Sequence, residues 1–252
     1  MHMILNEPQN VESLLESKNF DINYQNALGL TALMMACKYS DIASNIETVK
    51  LLLNAGANVD LQDNGGITAL MKACFNSNTT SNIETVKLLL DAGANVDLQE
   101  RHGMTALMQA CIYSNTTRNI ETVKLLLDAE ANVDLQDNYG WTALMWVCMK
   151  SNAETVKLLL NAGANVDLQD NLGKTALVIN CGNSNTISNA ETVKLLLDSG
   201  ANVDLQCNNG RTALMSACFS LNTKSKVIYS LTEIHSRKKL LSKSMKLLNL
   251  SG

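Results

Sequence analysis

The tetrapeptide Thr-Ala-Leu-x occurs six times along the chain, starting at Thr31, Thr68, Thr105, Thr142, Thr175 and Thr212, at spacings of 37, 37, 37, 33 and 37 residues. A length of 252 residues would ordinarily suggest one or two globular domains. Self-similarity at a period within about 20–50 residues instead means a stack of small modules, each too small to bury its own apolar face. Between the threonines the chain repeats one phrase, as in Asn45-Ile46-Glu47-Thr48-Val49-Lys50-Leu51-Leu52-Leu53-Asn54-Ala55-Gly56-Ala57-Asn58-Val59-Asp60-Leu61-Gln62.

Composition agrees with a folded stack. Apolar residues make up 46% and charged residues 17%, enough to fill a core, and a single proline leaves helices uninterrupted. The N-terminus shows no basic leader followed by an apolar stretch, and no run of about 18 apolar residues occurs. The expectation is a non-secreted, cytoplasmic protein with no membrane insertion, with the nucleus as an alternative. The net charge of −4 hides an asymmetry: residues 222–252 carry seven basic groups and one acidic, while the rest carry 13 basic and 23 acidic. An acidic body argues against a nucleic-acid partner.

One copy shows the local logic. Thr68 offers an N-cap hydroxyl, and Leu70, Met71, Ala73 and Cys74 follow at the spacing of one helical face, helix A. After the polar Asn76-Ser77-Asn78-Thr79-Thr80, the Ser-x-x-Glu spacing of Ser81-Asn82-Ile83-Glu84 predicts a capping box that starts helix B. Ile83, Val86 and Leu88-Leu89-Leu90 give helix B a broad apolar face, and Gly93 supplies its left-handed stop. The alternating Val96-Asp97-Leu98-Gln99 and the turn-like Glu100-Arg101-His102-Gly103 predict an extended hairpin finger before the next threonine.

This module resembles the ankyrin repeat. The family's Thr-Pro-Leu-His-x-Ala helix start corresponds to Thr-Ala-Leu-Met-x-Ala, and its Val-x-x-Leu-Leu-x-x-Gly-Ala-x-Val-Asn segment to Val49 through Asp60 and later copies, over residues 10 to about 221. The resemblance implies an all-α solenoid of stacked helix-turn-helix repeats with β-hairpin fingers. The expected division is an N-terminal half-repeat cap, 1–30; repeats 31–67, 68–104, 105–141, 142–174 and 175–211; and a degenerate C-terminal repeat or cap with a basic tail, 212–252. Ala32 and its equivalents stand where the family has proline, and Met34 and its equivalents where it has histidine. Most copies also exceed the family's length of about 33 by four residues, which predicts protruding loops between helices A and B at 41–45, 77–81, 114–118 and 184–188, and a notch near Ser151 in the short Thr142 copy. Glu130 falls where other copies carry the helix-stopping glycine.

Residues with chemical potential fall onto the repeat. Six cysteines, Cys37, Cys74, Cys111, Cys148, Cys181 and Cys218, recur six residues after each threonine. Stacked helices lie ~8–10 Å apart and a disulfide needs Cα atoms within ~7 Å, so the row reads as small buried side chains; Cys207, on a turn, reads as the exposed thiol. Gly173-Lys174-Thr175 lacks the upstream glycine of a phosphate-binding loop. His2, His102 and His235 have no metal-site or nucleophile–base spacing. Asp60, Asp97, Asp134, Asp167 and Asp204 recur once per copy, too far apart to act together, and read as backbone caps. No cofactor, metal or catalytic residue is expected, and the chain is not expected to be an enzyme.

What varies between copies is confined to the finger tip and the outward part of helix A, at one and three residues before the threonine and four, seven and eight after it. Those positions hold seven of the ten aromatics: Tyr39, Phe75, Tyr113, Tyr139, Trp141, Trp146 and Phe219. Exposed Tyr and Trp are typical binding anchors. The expected partner-binding surface centres on Tyr139, Trp141, Trp146 and Met149, with Met104, Ile112 and Tyr113 from the preceding copy, outlying Tyr39 and Phe75, and Lys72, Arg101, Lys150, Lys174 and Arg211 as rim charges; the competing view is that Trp146 and Met149 simply pack between helices.

The resemblance therefore implies a monomeric, non-catalytic scaffold or adaptor that binds a protein partner on its concave face. The alternative is the targeting part of a longer enzyme or host-directed effector. Near-identical repeats rich in Asn, Ile and Lys are similar in style to arrays from AT-rich genomes such as large DNA viruses or intracellular bacteria, in which case the site of action would be the host cytosol.

Overall fold

A computed structural model describes residues 21–38, 43–75, 80–112, 117–150, 152–182 and 187–219. Among them lie eleven helices: α1 (Ala32–Lys38), α2 (Ala43–Asn54), α3 (Ala69–Phe75), α4 (Thr80–Asp91), α5 (Ala106–Ile112), α6 (Thr117–Asp128), α7 (Ala143–Lys150), α8 (Ala153–Asn161), α9 (Ala176–Gly182), α10 (Ile187–Asp198) and α11 (Ala213–Phe219). The chain divides into two compact units, Met1–Asn138 and Tyr139–Gly252.

In the first unit the short helices α1, α3 and α5 pack in one row and the longer α2, α4 and α6 in a second, each short helix lying against the long helix of its own copy. The second unit repeats the plan, with α7, α9 and α11 in one row and α8 and α10 in the other. This is an all-α repeat solenoid.

The repeat threonine caps each short helix. Thr31 Oγ1 accepts from the Met34 N–H at 3.2 Å, Thr68 from Met71 at 3.2 Å and Thr142 from Met145 at 3.3 Å. The four residues that follow the cap decide the core. Leu33, Leu70, Leu107 and Leu144 are buried, and so are Met34, Met71, Met108 and Met145, the residues that replace the family's histidine. A flexible, wholly apolar side chain fills that position without needing a hydrogen-bond partner. Five of the recurrent cysteines, Cys37 through Cys181, are buried in the same row, and no disulfide joins any of the seven.

The long helices end as their sequence requires. At the end of α2 the Gly56 N–H donates to the Leu53 carbonyl at 2.9 Å and the Ala57 N–H to Leu52 at 3.0 Å, a Schellman motif that needs a left-handed residue between them. Gly56 supplies φ 84°; in the third full copy Glu130 is forced to φ 60° and makes the same pair of bonds.

The starts of the long helices depart from expectation. The sequence pattern places the start of α4 after Ser81, whereas α4 begins at Thr80 and Ser81 lies inside it. In the short copy Asn152 caps α8, its Oδ1 accepting from the Thr155 N–H at 3.2 Å, and the helix has 9 residues. In the long copies the equivalent Asn45 falls inside a helix of 12 residues. Part of each four-residue insertion is therefore an added turn of helix rather than loop: residues 43–45, 80–81, 117–118 and 187–188 are helical. The remainder of the expected loops, the notch at Ser151, and most of both expected caps lie outside the described residues.

No strand forms among the described residues. Five fingers, those at Asn26, Asp63, Glu100, Asp170 and Cys207, are turn-closed hairpins with one cross-connection, as where the Asp63 N–H donates to the Ile67 carbonyl at 3.0 Å and the Gly66 N–H to the Asp63 carbonyl at 2.8 Å. Successive fingers are tied by backbone bonds, Asn64 N–H to Leu28 O at 3.0 Å and Arg101 N–H to Gly65 O at 2.9 Å. Gly66 permits this approach, since a Cβ there would come 2.9 Å from the Glu100 Cα. A glutamine ladder reinforces it: Gln62 Nε2 donates both to the Gly66 carbonyl within its own finger, at 2.8 Å, and to the Gln99 carbonyl in the next, at 3.1 Å.

Candidate functional site

The expected binding residues sit on the short helices and fingers, and each unit contributes its own group. In the second unit, Tyr139 stands at a finger tip with 65% of its surface exposed, while its carbonyl accepts from the Asn171 N–H of the next finger at 3.0 Å. The finger therefore holds the backbone while the ring stays in solvent. Trp141, two residues on, is half-buried. Its indole Nε1 donates to Asp170 Oδ2 at 3.1 Å, and its ring lies 4.6 Å from that of Trp146 on α7, tilted by 52°. Such tilted pairs contribute about 0.5–1.5 kcal/mol beyond area burial and fix both rings in place. Trp146 is half-buried rather than sunk between helices, so it packs on its neighbour and still presents a face. Met149 at the end of α7 is half-buried, Lys150 is exposed, Lys174 is half-buried and Arg211 is exposed.

Met149 and Trp141 border an open groove of about 480 Å³ whose floor is Val178 and Ile179 of α9, with Lys174 and Arg211 at its rim. Cys207 also lines it and is buried at 6% exposure, so the expectation that it is the exposed thiol is corrected. The turn around it is closed on itself, with the Cys207 N–H donating to the Arg211 carbonyl at 3.0 Å and the Gly210 N–H to the Cys207 carbonyl at 2.7 Å. That closure turns the side chain inward. The exposed cysteine among the described residues is Cys218.

In the first unit Phe75, 52% exposed at the end of α3, borders a smaller groove of about 280 Å³ with Lys38, Ile67, Met71, Lys72 and Gln109. Lys72 Nζ is held by Asp63 Oδ2 at 2.8 Å. Burial disfavours the charged form of Asp63, but the Lys72 hydrogen bond, the Ile67 and Gly65 N–H donors and the Lys72 charge together outweigh it and hold the carboxyl below its ordinary range. Arg101 is exposed on its finger, and Met104 and Ile112 are half-buried. Tyr39 and Tyr113 lie outside the described residues.

One column of the repeat went unnoticed in the sequence: the residue five before each threonine. Asp63, Glu100 and Asp170 use one carboxylate oxygen to close their own finger, as Asp170 Oδ1 does for the N–H groups of Leu172 at 2.9 Å and Lys174 at 2.7 Å. In Asp63 and Asp170 the second oxygen reaches a variable side chain, Lys72 or Trp141. The column was legible as Asn26, Asp63, Glu100, Asp137, Asp170 and Cys207, but its reach was not. Among the described residues no group of three or more His, Cys, Asp or Glu is placed to hold a metal ion, and no helix is long and apolar enough to cross a membrane.

The profile of ankyrin repeats (3 copies) matches residues 1–100, 78–170 and 154–237. The chain belongs to the ankyrin repeat family. Among curated ankyrin proteins it is similar to an ankyrin repeat protein of Acanthamoeba polyphaga mimivirus, 48% identical over 59 residues. That match covers 21% of this chain and 6% of the viral protein, so the chain corresponds to a small part of the relative's length. The mimivirus match fits the viral style of the ankyrin array.

Proposed function

We propose that this ankyrin array is a non-catalytic scaffold or adaptor that binds a protein partner through the concave face formed by its short helices and fingers. The observation that carries the reading is the treatment of aromatic side chains at variable positions. Tyr139 is held out in solvent by a finger whose backbone is tied to its neighbour, and Trp141 and Trp146 are pre-positioned by an indole hydrogen bond and a ring contact. Rigid aromatics that lose little freedom on binding are the groups that dominate interface energies. Met149, Lys150, Lys174 and Arg211 complete the group in the second unit, and Phe75, Arg101, Met104 and Ile112 form a separate group in the first.

The test is affinity capture from cytosolic extract with the full chain, wild type against the Tyr139→Ala, Trp141→Ala double variant, read by mass spectrometry with circular dichroism as a folding control. A partner lost only with the variant is expected. Partners captured equally by both, with helical signal unchanged, would show that binding lies elsewhere.

A second reading has a specific observation behind it. The matched viral relative is far longer than the region it shares with this chain. The array would then serve as the targeting part of a longer effector, and a single reading frame that continues into another domain would establish that.

A further inference from the structure

The groove of the second unit is open because two positions lack side chains of the usual size. Seven residues after the threonine, the other described copies place Lys38, Phe75, Ile112, Met149 or Phe219, whereas the Thr175 copy has Gly182, and a Cβ built there would meet nothing within 4 Å. Four residues after the threonine the others place Met35, Lys72, Gln109, Trp146 or Ile179, whereas the Thr212 copy has Ser216. The resulting space of about 480 Å³ falls in the range of ligand pockets, about 300–1,000 Å³, and would hold two adjoining side chains.

Its charge is one-sided. Lys174 and Arg211 line it, and among the described residues that line it none is acidic. The reason lies in the column of finger acids. Trp141, one residue before Thr142, donates to Asp170, the acid of the next finger. Lys174 holds the equivalent place one copy later, and the residue in the equivalent acid position is Cys207. At Lys174 the finger acid that this position would face is missing, and among the described residues no carboxylate lies within ion-pair distance of its side-chain amine, although Asp170 Oδ1 accepts from its backbone N–H at 2.7 Å. Lys72 shows the contrast, with its amine on Asp63 at 2.8 Å.

We infer that this groove receives an acidic side chain of the partner, Glu or Asp, whose carboxylate meets Lys174 at the rim while an adjoining aliphatic side chain covers Val178 and Ile179. The inference rests on the scaffold reading above. The chain's own segment 222–252, with seven basic groups and one acidic, has the wrong charge to fill the site.

A random peptide library displayed on phage and panned against the full chain tests this, with circular dichroism on every variant. The Cys207→Asp variant restores the residue type that closes the sibling fingers, so the fold accommodates it, and it gives Lys174 a counter-ion within the chain. Expected are peptides with Glu or Asp at one fixed position beside an aliphatic residue. The best of them should bind about tenfold more weakly to Lys174→Glu and to Cys207→Asp, and a Glu→Gln change in the peptide should cost about tenfold on the wild type and almost nothing on Lys174→Glu. Selected peptides without an acidic position, or a Glu→Gln effect equal on wild type and Lys174→Glu, overturn the groove. Such peptides, if lost on the Tyr139→Ala, Trp141→Ala variant, leave the scaffold reading standing. A library that returns no binder also overturns the groove, and the capture experiment then decides the wider reading on its own.

Discussion

Asp60 Oδ1 accepts a 2.8 Å hydrogen bond from the backbone N–H of Asn95, one copy further along the chain. The same bond recurs from Asn132 to Asp97 at 2.9 Å and from Asn202 to Asp167 at 2.8 Å. The recurrent aspartates therefore cap backbone, as their spacing implied, but the backbone they cap belongs to the neighbouring module. At the start of the series Asn23 does the same for Asn58 at 2.8 Å, so the bond needs an acceptor oxygen and not a charge. Asp60→Ala should lower stability by about 0.5–1.5 kcal/mol while Asp60→Asn leaves it nearly unchanged, read from urea midpoints. Equal losses in both would mean that charge matters more than the acceptor.

Glu130 occupies a left-handed position at φ 60° that four sibling copies give to glycine. Glu130→Gly should stabilise the protein by about 1 kcal/mol by removing backbone strain. A melting temperature that falls instead would show that the Glu130 side chain contributes more than its backbone costs.

The Asp63–Lys72 pair gives a pH signature. The folded-state carboxyl sits below its unfolded value of about 3.9, so the stabilisation is present above that pH and is lost as pH falls through the folded value. Lys72→Met removes the partner. The difference in melting temperature between wild type and Lys72→Met should be constant from neutral pH to about pH 5 and shrink below about pH 4. A difference that persists unchanged at low pH would assign the effect to packing of the lysine stem.

Asn180 stands in the row that elsewhere holds Ala36, Ala73, Ala110, Val147 and Ala217. It is fully buried, its Nδ2 donates to the Cys148 carbonyl at 3.0 Å, and its Oδ1 has no partner among the described residues. An orphaned buried acceptor costs about 1–3 kcal/mol against about 0.5–1.5 for one hydrogen bond, so Asn180→Ala should raise stability by about 1 kcal/mol. Thermal denaturation of the single variant decides it, and destabilisation would show that the bond to Cys148 outweighs the orphaned oxygen.

Burial pushes the thiols of Cys74 and Cys181 up to about 12 and those of Cys37 and Cys111 higher still. With Cys207 also buried, the fast phase of native-state labelling by a disulfide reagent at pH 8 should map to Cys218, and Cys218→Ser should remove it. A fast phase at Cys207 by peptide mapping would contradict the closed turn around it.

Signals that act within a few residues were legible. The threonine caps, the glycine stops, the buried Leu-Met pairs and the misfit at Glu130 each follow from capping or backbone chemistry inside one turn, and the period placed them in a stack. The same local rules misjudged the start of the long helices: Ser81 satisfies a capping pattern, yet α4 begins one residue before it, at Thr80. Nothing local could show the second oxygen of Asp170 reaching Trp141, which lies 29 residues earlier, or turn Cys207 inward. The sequence by itself determined the module, its period and which positions are free to vary. Only the tertiary structure decided which of those variable side chains meet, because residues about one period apart in the chain become neighbours through the stacking distance of the modules and the closure of each finger.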